Sequence, residues 1–253
     1  MKVGDGGTRI VVVLVEGGSE IKCLGPVLSS LYDKTNPNYE VMFPAMVEGG
    51  TKDRGDFTSK FGINRKTAAG CISKLYIDPL LKQNGLSPEC IGEIIHIVDT
   101  DGAYIEDSNI IYSPSQTGFY YDEKGKILTA NIESAKKRNE MKRENIDCLY
   151  ELDYINNNGY SIPYSIYFFS SNLDHVLHND ANMLDKTEKV KRAEDFAMQY
   201  MDEPEDFIKA IKKLPGTLNG MSYEESWRYI RERGPNSINA HTNINLLLDK
   251  IAR

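Results

Sequence analysis

The chain has 253 residues, of which 40% are hydrophobic and 26% charged. This composition is typical of a soluble globular protein with one large domain, and it excludes a disordered or fibrous protein. Acidic residues outnumber basic ones by 37 to 30, for a formal net charge of −7. That balance argues against nucleic-acid binding over the whole surface, which requires an excess of cations, but not against a local basic patch.

The longest apolar run and the cysteine spacing bear on membrane insertion and on the redox state of the thiols. The longest apolar run, residues 10–15, is far shorter than the roughly 20 residues of a membrane span. The four cysteines are far apart and form no Cys-x-x-Cys pair. They are expected to be reduced thiols in a cytoplasmic protein.

The first part of the chain alternates predicted strands and helices. The β-branched run of the first strand is typical of a strand buried on both faces of a sheet. The predicted strands are Arg9–Val15, Tyr39–Met46, Glu93–Val98 and Tyr164–Phe169. Predicted helices follow Ser19 and cover Lys66–Asn84 and Glu133–Asn145. A polar loop is expected over Gly49–Gly62, and a tyrosine-rich insertion or hairpin over Asp107–Gly125.

From Leu184 onward the pattern is helical. Ser222 and Glu225 have the spacing of a capping box, Gly234 is typical of a helix end, and a last helix is predicted over Asn243–Ile251. The predicted fold is therefore α/β, an open, mostly parallel sheet flanked by helices with a C-terminal helical appendage. The catalytic domain is expected over residues 1–180, with an insertion around 103–130, and the helical region over 181–253.

Acidic residues follow two of the predicted strands. Glu16 comes directly after the first strand and Glu20 lies four residues later, whereas Asp99 and Asp101 end the Glu93–Val98 strand. Each acid alone is commonly a solvated loop residue, a turn former or a helix-end charge. Because the carboxyl ends of parallel strands meet at one edge of a sheet, the combination predicts an oxygen-rich site for Mg²⁺ or Mn²⁺.

Three families place Asp-x-Asp after an apolar strand. Haloacid-dehalogenase-like phosphatases use the first aspartate as nucleophile, normally near the N-terminus, and nucleotide-sugar glycosyltransferases use the pair to hold Mn²⁺. The third pattern is a strand ending in Glu-Gly and a later strand ending in Asp-x-Asp. Here residues 11–20 read Val-Val-Val-Leu-Val-Glu-Gly-Gly-Ser-Glu, and residues 94–102 read Ile-Ile-His-Ile-Val-Asp-Thr-Asp-Gly. This pairing resembles the Toprim domain, and Glu-Gly-x-x-Glu is most similar to the OLD and RloB-like branch.

Two later stretches are similar to the same branch. Residues 167–178 resemble its Ser-Asn-Pro-x-Glu-x-Trp-Leu-x-x-His segment, with Leu173 in place of the proline, Asp174 near the glutamate and no tryptophan. Residues 239–243 resemble an Asn-Pro-x-Thr element. The resemblance implies that Asp174 and His178 would be auxiliary site residues.

The resemblance implies metal-dependent phosphodiester cleavage of DNA or of RNA such as tRNA, in an effector of anti-phage defence. Glu16, Asp99 and Asp101 would be the catalytic ligands of one or two Mg²⁺ or Mn²⁺ ions, with Glu20 a further ligand. Glu16 is alternatively the general base. An ABC- or SMC-like ATPase is expected as a separate chain, since no Gly-x-x-x-x-Gly-Lys-Ser/Thr stretch occurs. A homodimer and the absence of membrane attachment are further expectations.

The densest basic run is the candidate nucleic-acid contact. On the predicted helix it can follow a phosphate backbone, or it is an ordinary solvated face. Its cations are Lys136, Lys137, Arg138, Lys142 and Arg143. Two other functions stay open at this point: a phosphatase or phosphotransferase with Asp99 as nucleophile, and a non-catalytic, metal-stabilised module that binds a partner.

Overall fold

A computed structural model describes residues 7–44, 57–59, 62–182, 185–232 and 238–253. Its strands are β1 (Arg9–Leu14), β2 (Tyr39–Met42), β3 (Ile91–Asp99), β4 (Ile110–Tyr112), β5 (Tyr120–Tyr121), β6 (Ile127–Thr129), β7 (Tyr154–Asn157) and β8 (Tyr160–Phe169). Its helices are α1 (Gly18–Thr35), α2 (Ala68–Ile72), α3 (Asp78–Asn84), α4 (Ile132–Tyr150), α5 (Leu173–His178), α6 (Lys186–Met198), α7 (Pro204–Lys213), α8 (Tyr223–Arg231) and α9 (Ile244–Ile251).

The main sheet has five strands in the order β2-β1-β3-β8-β7. The first four are parallel and β7 is antiparallel to β8, which confirms the predicted α/β fold with a mostly parallel sheet. Val13 pairs with Ile95 in β3, and Asp99 pairs with Phe169 in β8. The carboxyl ends of β1, β3 and β8 therefore lie at one edge of the sheet.

Both faces of the sheet are covered, which explains the continuous apolar run in β1. Side chains alternate along a strand, so Val12 joins one core with α2, α3 and α8, and Val13 joins the other with α1, α7 and α9. The predicted C-terminal helical region is present. Its buried residues include Trp227 in the first core and Phe207 and Leu247 in the second.

The strand before the site is longer than predicted. β8 begins at Tyr160 rather than Tyr164, because Tyr154–Pro163 forms a hairpin that the sequence prediction missed. Its turn residues Asn158 and Gly159 both have positive φ, 47° and 86°, as a tight type I′ turn requires.

Several helix and strand boundaries also differ from the prediction. The Lys66–Asn84 helix is divided by a π-helical turn at Ser73–Ile77, and α4 extends five residues beyond Asn145, to Tyr150. The second strand ends at Met42, before the predicted Met46. Other predicted features lie wholly or partly outside the described residues: Ala45 and Met46, most of the Gly49–Gly62 loop, Leu184 and Gly234.

The tyrosine-rich insertion is a small sheet of its own. It has the order β4-β6-β5, with β4 parallel and β5 antiparallel to β6. Ile105, Ile110 and Ile127 pack with Ala135 of α4 and with Ile238. The insertion is therefore fixed to α4 by its own apolar cluster.

Residues 238–243 pack against the end of β8. The Asn243 side chain accepts a hydrogen bond from the Phe168 amide (2.9 Å), and the Thr242 hydroxyl donates to the Phe168 carbonyl (2.7 Å). Buried backbone groups need such partners, so this segment fixes the strand end that borders the site. In the described part of the chain, no helix has both the length and the apolar character to cross a bilayer.

Candidate functional site

The four predicted acids lie together at the carboxyl edge of the sheet. The Asp99 amide at the end of β3 donates a hydrogen bond to Glu16 Oε1 just after β1 (3.1 Å). Glu20, Glu16 and Asp101 each raise the pKa of Asp99 by charge repulsion. The neighbouring positions of β1 and β3 in the sheet thus bring together residues that are 83 positions apart.

A tight turn aims Asp101 at the cluster. Asp101 and Gly102 both have left-handed backbone, with φ of 48° and 74°. A Cβ at position 102 would also lie 3.0 Å from Ile238 and 3.1 Å from Ile127, so glycine is favoured by both conformation and space. The Thr100 amide donates to the Phe169 carbonyl (2.8 Å), and the Asp101 amide donates to the Ser171 carbonyl (3.1 Å). The end of β8 therefore holds this turn.

A lysine lies between two of the acids. Lys142 Nζ is 2.5 Å from Asp101 Oδ2 and 3.2 Å from Glu16 Oε2, and its side chain is only 1% exposed. Lys142 is buried and so does not lie on an exposed basic face of the helix, whereas its contact with nucleic acid stays a prediction. A buried ammonium group is tolerated only with such partners.

Two residues that the sequence prediction missed hold Glu16. The Thr58 hydroxyl donates to Glu16 Oε1 (3.1 Å), and the Asn145 amide group donates to the Thr58 carbonyl (2.7 Å). Thr58 lies in a short 3₁₀ turn, Phe57–Ser59, and both partners are buried. Asn145 is three positions from Lys142 and so lies on the same face of α4. No motif marks Thr58 in the sequence.

The electrostatics of the cluster centre on Asp99. Burial raises the pKa of Asp99 well above its usual range, and Glu20, Glu16 and Asp101 raise it further, whereas Lys142 opposes the shift. Asp99 Oδ1 is enclosed and has no hydrogen-bond partner among the described residues. Burial also raises the pKa of Glu20, against the hydrogen bond from Ser19. Among the described residues, Lys142 is the cation that contacts Glu16 and Asp101 directly, and Lys189 acts on Glu20 at longer range.

The two auxiliary residues differ in their relation to the cluster. Asp174 is buried in α5, forms an ion pair with Lys189 (3.2 Å) and raises the pKa of Glu20 by repulsion. His178 packs edge-on against the Phe196 ring at 5.8 Å, and burial lowers its pKa. Asp174 therefore borders the site, whereas the ring contact of His178 belongs to the packing of α5 on α6.

The other cations of the basic run divide into two groups. Arg138 lies 4.1 Å above the Phe119 ring and donates to the Asp101 carbonyl (2.8 Å), and Arg143 donates to the Ala103 carbonyl (3.3 Å). These two arginines fasten the Asp101 turn to α4. Lys137 is exposed, and Lys136 forms a 3.4 Å ion pair with Glu133. Of the five expected cations, only Lys142 is buried, whereas Arg138 and Arg143 are partly exposed and are also bound to the turn.

The donor set fits a hard divalent cation. Carboxylate oxygens are the ligands that Mg²⁺ and Mn²⁺ prefer, and the enclosed Asp99 Oδ1 and its repulsion by Glu20, Glu16 and Asp101 favour cation binding. Within the described ranges, however, no three or more His, Cys, Asp or Glu side chains are arranged so that they could hold a metal ion. Lys142 lies between two of the acids instead.

Comparisons of the chain with protein-family models, with curated proteins and with solved structures found no match in any of the three.

Proposed function

We propose that this chain is a Toprim-like nuclease that hydrolyses phosphodiester bonds of DNA or RNA with divalent metal ions. The observation that supports the proposal is the convergence of Glu16, Glu20, Asp99 and Asp101 at the carboxyl ends of adjacent parallel strands. This edge is where open α/β sheets bind their ligands.

The site residues have distinct tasks in this proposal. Glu16, Asp99 and Asp101 would hold Mg²⁺ or Mn²⁺, with Glu20 as a ligand of a second ion. The bound ion supplies polarisation of the phosphate and a water of lowered pKa. Thr58 and the Asp99 amide orient Glu16, and Lys142 neutralises part of the carboxylate charge.

A nucleophilic role of Asp99 in a phosphatase stays the alternative, and it meets the same obstacle as a ligand role. A phosphatase of the Asp-x-Asp type needs an ionised aspartate with an accessible oxygen. Asp99 Oδ1 is enclosed, and burial raises the pKa of this carboxyl. A metal ion would reverse that pKa shift by pairing with the charged form.

The cellular setting belongs to the same proposal and rests on the resemblance. We infer a cytoplasmic effector of anti-phage defence that works beside a separate ABC- or SMC-like ATPase, as a monomer or homodimer. The sequence contains no phosphate-binding loop of its own for ATP.

A cleavage assay tests the activity. Pure protein is incubated with plasmid, single-stranded DNA and total tRNA, with Mg²⁺, with Mn²⁺ or with EDTA. We expect cleavage of at least one substrate by the wild type, dependent on the metal. Asp99→Ala and Glu16→Ala should abolish it, with retained circular dichroism spectra.

The matched control is Asp206→Asn, an exposed aspartate of α7 paired with Lys209 at 2.8 Å, which should cleave like the wild type. Undiminished cleavage by both site variants would overturn the assignment. Metal-independent cleavage would also contradict it.

A further inference from the structure

Lys142 occupies the space between two of the carboxylates that would bind a metal ion. Its ammonium group contacts one oxygen of Asp101 and one of Glu16 from within the protein interior. Lys137, on the same helix, is exposed to solvent. Helix α4 therefore carries two kinds of cation: Lys142 lies inside the carboxylate cluster, and Lys137 lies on the surface.

Burial of this ammonium group has a cost that its partners must offset. Removing an ion from water costs several kcal/mol in real proteins, and two carboxylates within 3.2 Å compensate for it. The same charge also lowers the pKa of Asp99, against the three neighbouring carboxylates. Lys142 thus neutralises part of the carboxylate charge, as a bound metal cation would.

A divalent ion at these carboxylates would meet Lys142 in two ways. It would compete for oxygens of Glu16 and Asp101, and its charge would repel the ammonium group at short range. Such repulsion between like charges is strong at short range where water is excluded. Arg138 and Arg143 bind backbone carbonyls of the 101–103 turn, so the turn stays attached to α4 if Lys142 moves away.

We propose that Lys142 sets the affinity of the carboxylate cluster for divalent cations, as an internal competitor for oxygens of Glu16 and Asp101. The inference rests on the proposed metal-binding function and deepens it. The cluster is kept intact by its own cation and accepts a divalent ion only at concentrations that overcome this competition.

Direct measurement of Mn²⁺ binding tests the role of Lys142. Wild type and Lys142→Met are compared by isothermal titration with Mn²⁺ and by thermal unfolding in EDTA and in Mn²⁺. Methionine keeps most of the length of the side chain and removes its charge. We expect at least about a tenfold lower Kd for Mn²⁺ in the variant, a lower Tm in EDTA and a larger rise of Tm with Mn²⁺.

Two companion variants keep the test decisive. Lys142→Arg retains the charge and should bind Mn²⁺ within a few-fold of the wild type. Lys142→Gln retains a hydrogen-bond donor without the charge, so it should show the tighter Kd even if Lys142→Met does not fold.

The outcomes separate the two proposals. Equal or weaker Mn²⁺ binding by the neutral variants, beside a wild type that does bind, would overturn the role of Lys142 and leave the metal site in place. Absence of Mn²⁺ binding in the wild type and in every variant would overturn the metal site itself, and this inference with it.

Discussion

Asp99 is the acid of the cluster whose charged form is disfavoured both by burial and by its neighbours. Its carboxyl group is enclosed, repelled by three neighbouring carboxylates and only partly compensated by Lys142. Buried groups of this kind are typical of functional sites, because their charged form destabilises the fold at neutral pH. The sign of their effect on stability can be measured.

We predict that Asp99→Asn is more stable than the wild type at neutral pH in EDTA. The folded-state pKa of Asp99 is raised, so its stabilising contribution is present in acid and is lost as pH rises from the unfolded value through the folded one. The gain should be about 1 kcal/mol in the free energy of unfolding, or about 2–4 °C in Tm.

Chemical denaturation across a pH series measures this effect. The variant should lose part of the decline in stability toward neutral pH, whereas Asp206→Asn should follow the wild type. A less stable Asp99→Asn, or an unchanged pH slope, would contradict the electrostatic description of the cluster.

Single residues of the site were predictable only where they follow a strand. The four acids come at strand ends, and the parallel sheet brings strand ends together, so their proximity followed from the pattern. Lys142 and Thr58 reach the cluster from 41 and 42 positions away in sequence, Lys142 to Asp101 and Thr58 to Glu16. Their contacts depend on how α4 and the 3₁₀ turn pack, which no local pattern encodes.

At the level of elements, the hairpin between β7 and β8 sets the length of the strand that leads to the site. Both residues of its turn, Asn158 and Gly159, have positive φ. We predict that Gly159→Ala lowers the free energy of unfolding by about 1–2 kcal/mol, because a left-handed conformation is costly for a residue with a Cβ.

Gly70→Ala is the matched control for that change. Gly70 lies in α2, and an added Cβ would meet no atom of another residue within 4 Å, so alanine should stabilise the helix by about 0.5–1 kcal/mol. Urea denaturation of both variants shows whether each substitution raises or lowers the free energy of unfolding. A Gly159→Ala protein as stable as the wild type would show that the turn does not require left-handed backbone.

Elements with a strong pattern were predicted well and irregular ones were not. The β-branched runs of β1 and β3 lie where predicted, because continuous apolar runs are rare outside buried strands. The β7 strand alternates buried and exposed residues over only four positions, too few for a periodic signal. The Asn-Gly pair of the turn was the available clue.

For the whole molecule, the predicted boundary at residue 180 divides segments that share a core. Phe207, Leu247 and Leu248 of the C-terminal helices pack in one cluster with Val11 and Val13 of the central strand β1. We predict that a chain ending at residue 180 lacks a cooperative thermal transition, because one face of its sheet loses its cover.

Calorimetry and binding of a hydrophobic dye show whether the chain that ends at residue 180 folds by itself. The full chain should unfold in one transition with little dye binding, and the shortened chain should bind dye strongly. A shortened chain with its own sharp transition would contradict the shared core and favour a separable domain.

The net negative charge of the chain is compatible with a nucleic-acid substrate. Four of the 37 acidic residues form the cluster, where divalent ions would neutralise them. Lys136 and Lys137 provide a small basic surface on α4, and a site with few cations suits weak, salt-sensitive contacts.

Titration of the protein with Mn²⁺ tests whether the four carboxylates form a metal centre. The wild type should bind one or two ions with a Kd of about millimolar or lower, and Asp99→Asn and Glu16→Gln should each lose at least about tenfold in affinity. Glu93→Gln, on the same strand as Asp99 but bound to Tyr32 and Lys250, should bind like the wild type. Unchanged Mn²⁺ binding by the two site variants, or no binding by the wild type, would contradict the claim that these carboxylates form a metal centre.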